Sequence, residues 1–323
     1  MPQNFYELVW IFIIYACFGW CTEVSYAALD TGKFVNRGFL NGPYCPIYGC
    51  GIVIVVTILT PLKENLLLLF VGSVLLTTTL EFLTGYILEK AFHNKWWDYS
   101  DKPFNVKGYI CLKFSILWGL ACTFVMEILH PAIYKLITWI PFLPGVILLI
   151  ILMGIFAVDC CITVSTILKF NRHLKIMEDL AASIHRLSDE IGENIYENVS
   201  DILERSEQFQ EDHAQFIEKI TETTETTRTR ISQTTEAARV RLLDVREEKQ
   251  RQLLELREKY ERLFAEKNKG FHRLLRAFPD MRSRDNNEML EKYKLRIHVY
   301  KKIKGKEKKN DTDNFNGSGD RAD

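Results

Sequence analysis

Between Gly38 and Leu62 the chain has no Asp, Glu, Lys, Arg or His. A loop of that length in water would carry charge, so the absence excludes an ordinary solvent loop. The stretch opens inside Asn36 to Gly51, NRGFLNGPYCPIYGCG, whose four glycines and two prolines are too many helix breakers for an uninterrupted transmembrane helix. It runs without a polar break into the apolar residues Ile52 to Leu59. Irregular backbone is tolerated at membrane depth only where protein covers it or it lines a wet cavity; a tight hairpin capping a short span is the plainer alternative. Other absences narrow the function. The net charge is zero, and without a basic excess there is no general grip on nucleic acid. No Gly-x-x-x-x-Gly-Lys-Ser/Thr run occurs, so the chain is not itself a P-loop ATPase. The eight cysteines match no zinc spacing and lie in or beside apolar runs, where they serve as small apolar thiols. Glu127-x-x-His130 has the spacing of half a di-iron site without a second copy, and no cofactor or metal is implied. The N-terminus has no positive region, and no small-residue cleavage site closes the first apolar run, so that run is expected to be retained.

What is present divides near residue 170. Residues 1–170 carry ten Lys/Arg and ten Asp/Glu between long apolar runs, whereas 171–323 carry thirty-one of each with little bulk hydrophobicity. The first part, 1–170, reads as an all-α polytopic membrane domain of about five transmembrane helices with a Gly/Pro-rich broken segment. The spans are Phe5–Leu29, Tyr44–Leu62, Leu66–Phe92, Tyr109–His130 and Phe142–Leu168, each near or above the ~17–25 residues that cross the hydrocarbon. Pro131–Pro141, with Tyr134 and Trp139, suits a short interfacial helix. Lys33, Arg37, Lys90, Lys95, Lys102, Lys107, Lys169, Arg172 and Lys175 fall on one side and only Lys63 and Lys135 on the other. The positive-inside rule then puts the N-terminus outside and both long loops, with the C-terminal half, in the cytoplasm.

Glu23, Glu81, Glu127 and Asp159 each interrupt an apolar run, where a charge is costly unless paired, protonated or wet, so they are expected to face the bundle interior. Glu23 and Glu81 come level with Arg37 and Lys107, at which the next spans begin, and the pairs Glu23/Arg37 and Glu81/Lys107 are geometrically possible. They would form either a polar site for a cation or an ionic substrate, or salt bridges that hold the loops. In the second loop, NKWWDYSDKPFNVKG from Asn94 to Gly108, adjacent tryptophans beside Asp98 and Tyr99 fit an aromatic anchor at the headgroups or a ligand-stacking surface. Arg37-Gly38-Phe39-Leu40 is echoed by Lys107-Gly108-Tyr109-Ile110, as though two helix-loop-helix units followed one another. The candidate site or pathway residues are Glu23, Asn36, Arg37, Gly42, Pro43, Pro46, Tyr48, Glu81, Asp98, Asn105 and Lys107.

From Asn171 to Lys269 there is no proline and the only glycine is Gly192. Apolar residues recur at alternating three and four spacing, as in Met177, Leu180, Ile184, Leu187 and Ile191 and again in Leu253, Leu256, Tyr260 and Leu263. That is a coiled-coil seam with breaks in register, expected over 171–269 as a rod of about 140 Å if fully helical. So polar a helix must pair with another helix, which a homo-oligomer would supply, or remain partly unfolded. Thr221 to Thr235 holds eight threonines in fifteen residues, a weak helix and a candidate hinge. Residues 270–309 read as basic amphipathic helices, one over Gly270–Pro279 and one over about Asn287–Ile303. Nine of the eighteen residues from Lys292 to Lys309 are Lys or Arg, which would draw them to anionic lipid. The tail 310–323 is expected to be disordered.

The membrane part resembles the bacterial family of putative ABC-transporter type IV permeases. The resemblance rests on Phe18-Gly19-Trp20 with Glu23, Asn36-Arg37-Gly38-Phe39-Leu40 with Gly42-Pro43, Cys45-Pro46-Ile47-Tyr48-Gly49, Glu81, and Trp97-Asp98-Tyr99 with Phe104-Asn105 and Gly108. It covers about residues 5–168 and implies a multi-pass protein of the bacterial cell membrane that works in transport, with a separate ATPase subunit as partner. Beside a permease, two other classes fit the residues. One is a membrane-anchored coiled-coil scaffold or sensor; the other is a membrane-embedded enzyme whose cytoplasm-facing site uses Arg37, Asp98 and the buried acids.

Overall fold

The computed structural model describes residues 2, 4–216, 224–266 and 268–297, with side chains described outside 194–242. Two compact units result: Met1–Leu174 together with the chain from Lys267, and Lys175–Glu266.

In the first unit, helix α1 covers Phe5–Thr31 and helix α3 Leu66–Phe92. Both begin at an asparagine: the Asn4 side chain accepts from Glu7 N, and that of Asn65 from Leu67 N and Leu68 N. Both end on a left-handed residue, Gly32 at φ 66° and His93 at φ 57°, so the two helices are capped alike at each end. Each has 27 residues, about 40 Å at 1.5 Å per residue, more than the ~30 Å of hydrocarbon.

Helix α2, Pro46–Leu59, has only 14 residues, about 21 Å, and a short 3-10 turn carries it to Leu62. It starts halfway along α1, where Cys45 N donates to the Ala16 carbonyl at 2.9 Å. At the crossing, a Cβ on Gly49 would lie 2.6 Å from the Phe12 carbonyl oxygen. Only glycine allows that approach. Residues 32–45 descend alongside α1 as irregular backbone, which is why the second of the five expected spans is short while four helices, Phe5–Thr31, Leu66–Phe92, Leu112–Trp139 and Phe142–Glu193, are long and apolar enough to cross a membrane.

After α3, three two-residue strands, β1 (Asn94–Lys95), β2 (Asn105–Val106) and β3 (Ile110–Cys111), shape the second loop, with β2 and β3 antiparallel. Helix α4, Leu112–Phe124, widens into a π turn at Val125–Leu129 and continues as α5, His130–Trp139. The widened turn comes just before Pro131, whose ring and missing N–H disturb the helical ladder. The separate interfacial helix expected at Pro131–Pro141 is therefore the end of this longer helix. Gly119 of α4 lies against Val74 of α3, where a Cβ would come 2.2 Å from Val74 Cγ2, repeating the glycine crossing of α1 and α2. The core gathers Trp10, Ile11 and Tyr15 with Val55, Val56, Met126 and Ile137.

Helix α6, Phe142–Phe216, passes from the first unit into the second. Within the second unit a further helix, α7, covers Thr224–Ala265, and Glu190 pairs with Lys249 at 3.2 Å. The stretch expected as a single rod thus holds two helices that meet at this ion pair. The described part of the threonine-rich stretch, from Thr224, is helical; the rest of the expected hinge lies outside the described residues.

The chain then rejoins the first unit. Asn268 caps α8, Lys269–Ala277, by accepting from Gly270 N and Phe271 N. Strand β4, Arg282–Ser283, pairs antiparallel with β1, and a helix α9 covers 287–297. The amphipathic face expected of α8 is present, and it is buried in protein: Phe271, Leu274, Leu275 and Ala277 are all covered. Phe170 meets the rings of Phe271 and Tyr293 at 5.1 and 6.0 Å. The basic run beyond residue 297 and the tail 310–323 lie outside the described residues.

Candidate functional site

The broken backbone of 36–45 is held from two directions. From α6, the Asp159 carboxylate accepts from Asn41 N at 3.1 Å, Asn41 Nδ2 at 2.9 Å and Gly42 N at 2.7 Å. From α8, the Arg273 guanidinium donates to the carbonyls of Gly38, Phe39 and Leu40 at 2.8–3.1 Å. Burial lowers the Arg273 pKa, opposed by the nearby Asp159 charge, and a guanidinium stays protonated regardless. Asn36 turns the chain: its Oδ1 accepts from Trp20 Nε1 at 2.8 Å and Gly38 N at 3.0 Å, and its Nδ2 donates to Asn41 O. Polar groups that an apolar surrounding would leave unmet are thereby paired inside the protein.

Beside this loop the two helix-loop-helix units bring their acids together. The Tyr48 hydroxyl donates to Glu23 Oε1 at 2.7 Å, and Arg37 places its Nε 3.7 Å from Glu23 Oε2 and its Cζ 5.2 Å above the Tyr26 ring. In the second helix-loop-helix pair the Tyr99 hydroxyl donates to Glu81 Oε1 at 3.3 Å. Trp118 of α4 joins the two halves, its ring edge-on to Tyr48 at 5.6 Å and its indole approaching the Glu81 carboxylate. Burial, then the charge of Glu81 and more distantly that of Glu23, raise the Tyr99 pKa, so this hydroxyl remains a donor. Glu81 is buried and its Oε2 has no hydrogen-bond partner. Glu23, Tyr48, Tyr99 and Trp118 are each partly exposed, so the cluster can be reached.

The second loop has its own centre. Asp98 Oδ1 accepts from Lys95 Nζ at 2.9 Å, Ser100 N at 3.1 Å and Ser100 Oγ at 2.5 Å, while Oδ2 pairs with Arg282 at 3.0 Å. Burial alone would raise the Asp98 pKa; its bonds to Ser100 and Lys95 outweigh that and hold it below the usual carboxylate value. Gly108, at φ 71°, passes so close that a Cβ would fall 2.3 Å from Asp98 Oδ1. Asn105 closes the turn by donating to Ser100 O and Lys102 O.

Of the residues singled out in the sequence, the structure brings together Glu23, Arg37, Tyr48 and Glu81, and places Asn36 and Gly42 in the adjoining loop. Pro46 opens α2, and Pro43 is exposed. Asp98 and Asn105 organise the second loop. Lys107 is exposed at φ 51°, and among the described residues no ion pair joins it to Glu81, whose Oε1 is taken by Tyr99. Sequence reasoning missed Tyr99 and Trp118 as members of the cluster and Arg273 as a clamp. One signal was available: the 70-residue offset that aligns Arg37 with Lys107 also carries Tyr48 onto Trp118 and Gly49 onto Gly119. Among the described residues no group of three or more His, Cys, Asp or Glu could hold a metal ion.

The family described as "Putative ABC-transporter type IV" matches residues 10–164. No curated protein and no solved structure matches the chain.

Proposed function

We propose that this chain, whose residues 10–164 belong to the putative ABC-transporter type IV family, is the permease component of a bacterial transport system, with any ATP hydrolysis supplied by another chain. The observation that carries the reading is the convergence of Glu23 and Glu81, from two successive helix-loop-helix units, beside backbone that is broken level with the middle of α1. Discontinuous helices and intramembrane acids are how transporters build solute sites near the bilayer interior. The Lys/Arg bias places the N-terminus outside and the loop end of the cluster towards the cytoplasm, and the basic segment Lys292–Lys309 would rest on anionic lipid. A second reading, a membrane-anchored scaffold, is favoured by the 175–266 unit, whose paired helices need no role in moving a solute.

One comparison separates them: complementation of a deletion strain by Arg37→Ala, by Glu23→Gln, and by a chain in which 175–266 is replaced with a short Gly/Ser linker, with membrane levels checked by blot. The permease reading expects both point variants to fail and the linker chain to work. The reverse result would transfer the function to the paired helices.

A further inference from the structure

The acid-aromatic cluster holds two acids and one base. Glu23 and Glu81 face a single base, and among the described residues the only cation placed on either acid is Arg37, at 3.7 Å from Glu23. Among the described residues nothing positive meets Glu81. Its relative exposure is 8%, yet Oε2 has no hydrogen-bond partner. A buried carboxylate oxygen left unmet is costly: Tyr99 is committed to Oε1 and Tyr48 to Glu23, and the Trp118 indole N–H approaches the carboxylate without closing a hydrogen bond to Oε2. A partner that brings both a hydrogen and a positive charge would meet this oxygen and balance two acids against one base. Beside the Glu81 carboxylate stand Tyr99 and Trp118, with the Tyr48 ring edge-on to Trp118 at 5.6 Å, and Tyr99 is itself stacked on Phe114 at 4.9 Å. Aromatic faces attract a desolvated cation through the negative potential over the ring. They give nothing comparable to an anion, and an anionic or neutral solute would leave the charge unbalanced.

We propose that this cluster binds a protonated organic amine, its ammonium N–H donating to Glu81 Oε2 and its charge held among Tyr48, Tyr99 and Trp118. The inference rests on the reading of the cluster as the solute site. It separates two kinds of organic cation. A primary ammonium supplies both charge and hydrogen, whereas a quaternary ammonium satisfies the rings and leaves the oxygen bare. A bare metal ion is disfavoured by the ligand set, since only two carboxylates are close and each is engaged by a tyrosine.

The test is calorimetric titration of the full chain in lipid nanodiscs with n-butylammonium and with tetramethylammonium chloride. Saturable n-butylammonium binding, at least ten-fold tighter than tetramethylammonium and at least ten-fold weaker in Glu81→Gln, is the expected result. Should Glu81→Gln fail to fold, Trp118→Leu reads the same site through the lost ring face and is expected to weaken binding at least three-fold. No saturable heat, equal affinity for the two cations, or unchanged binding in the variant would overturn the proposal. Its failure is distinct from that of the permease reading. Amine binding without n-butylammonium flux in proteoliposomes drops transport and keeps the site; complementation that needs Glu23 and Arg37 without amine binding keeps transport and drops the amine.

Discussion

At Gly19 an added Cβ would lie 2.3 Å from Cγ of Tyr48, and the neighbour is the root of a ring rather than a flexible tip. Gly19→Ala should therefore push Tyr48 off Glu23 and lower stability by about 1–3 kcal/mol, read as a drop in melting temperature, and amine binding should weaken with it. Asp98 gives a pH signature. Its depressed carboxyl contributes stability that is present above the unfolded value near ~3.9 and lost as the pH falls through the lower folded value. Wild type should then lose melting temperature more steeply than Asp98→Asn between about pH 5 and about pH 2; parallel slopes would show that Asp98 is not a stabilising charge. At this scale the sequence is informative where chemistry is out of place. Glu23, Glu81 and Asp159 stand out because acids are rare in apolar runs. Tyr99 and Trp118 do not, because aromatics near a membrane surface are common and nothing local marks one as facing an acid. Lys107 looked like a partner for Glu81, but a left-handed backbone turns that position elsewhere.

Among the elements, α8 is the one whose role the sequence left open. Its stripe of Phe271, Leu274 and Leu275 announces an apolar face, but periodicity says nothing of what covers that face. In the structure it is the protein itself, and the turn places Arg273 over three loop carbonyls. Arg273→Ala should cost about 3 kcal/mol through those unmet groups and speed hydrogen exchange at Asn41, Gly42, Tyr44 and Cys45. Arg273→Lys should not restore protection, because one ammonium on a flexible stem cannot span the carbonyls that a planar guanidinium meets together; full protection in the lysine variant would sink the clamp. The shortness of α2 has a similar history. Composition marks Asn36–Gly51 as broken backbone at depth, but how far it descends depends on the Cys45–Ala16 bond and the Gly49–Phe12 crossing, both made to a helix about thirty residues earlier.

For the whole molecule, the chain leaves the first unit at Leu174 and rejoins it at Lys267, with His173 and Phe271 rings 5.4 Å apart. Replacing 175–266 by a short linker should leave the melting temperature of the membrane unit within a few degrees of wild type. Truncation after Leu174 should lower it sharply, since it also removes Arg273, β4 and Tyr293; equal melting of the two would mean the returning segment holds nothing. The division into an apolar and a polar half was legible from composition, but the return was not, because composition orders segments along the chain and not in space. That return also puts a clock on assembly. Gly38 and Arg273 are 235 positions apart, and a ribosome adding ~5–20 residues per second needs roughly 10–50 s to travel between them. Throughout that interval the first loop lacks its clamp, even after α6 has brought Asp159 to it. The first loop is completed only once the chain has grown past Arg273, so its closure reports synthesis of that later segment, and a chain stopped before it is left displaying three open carbonyls.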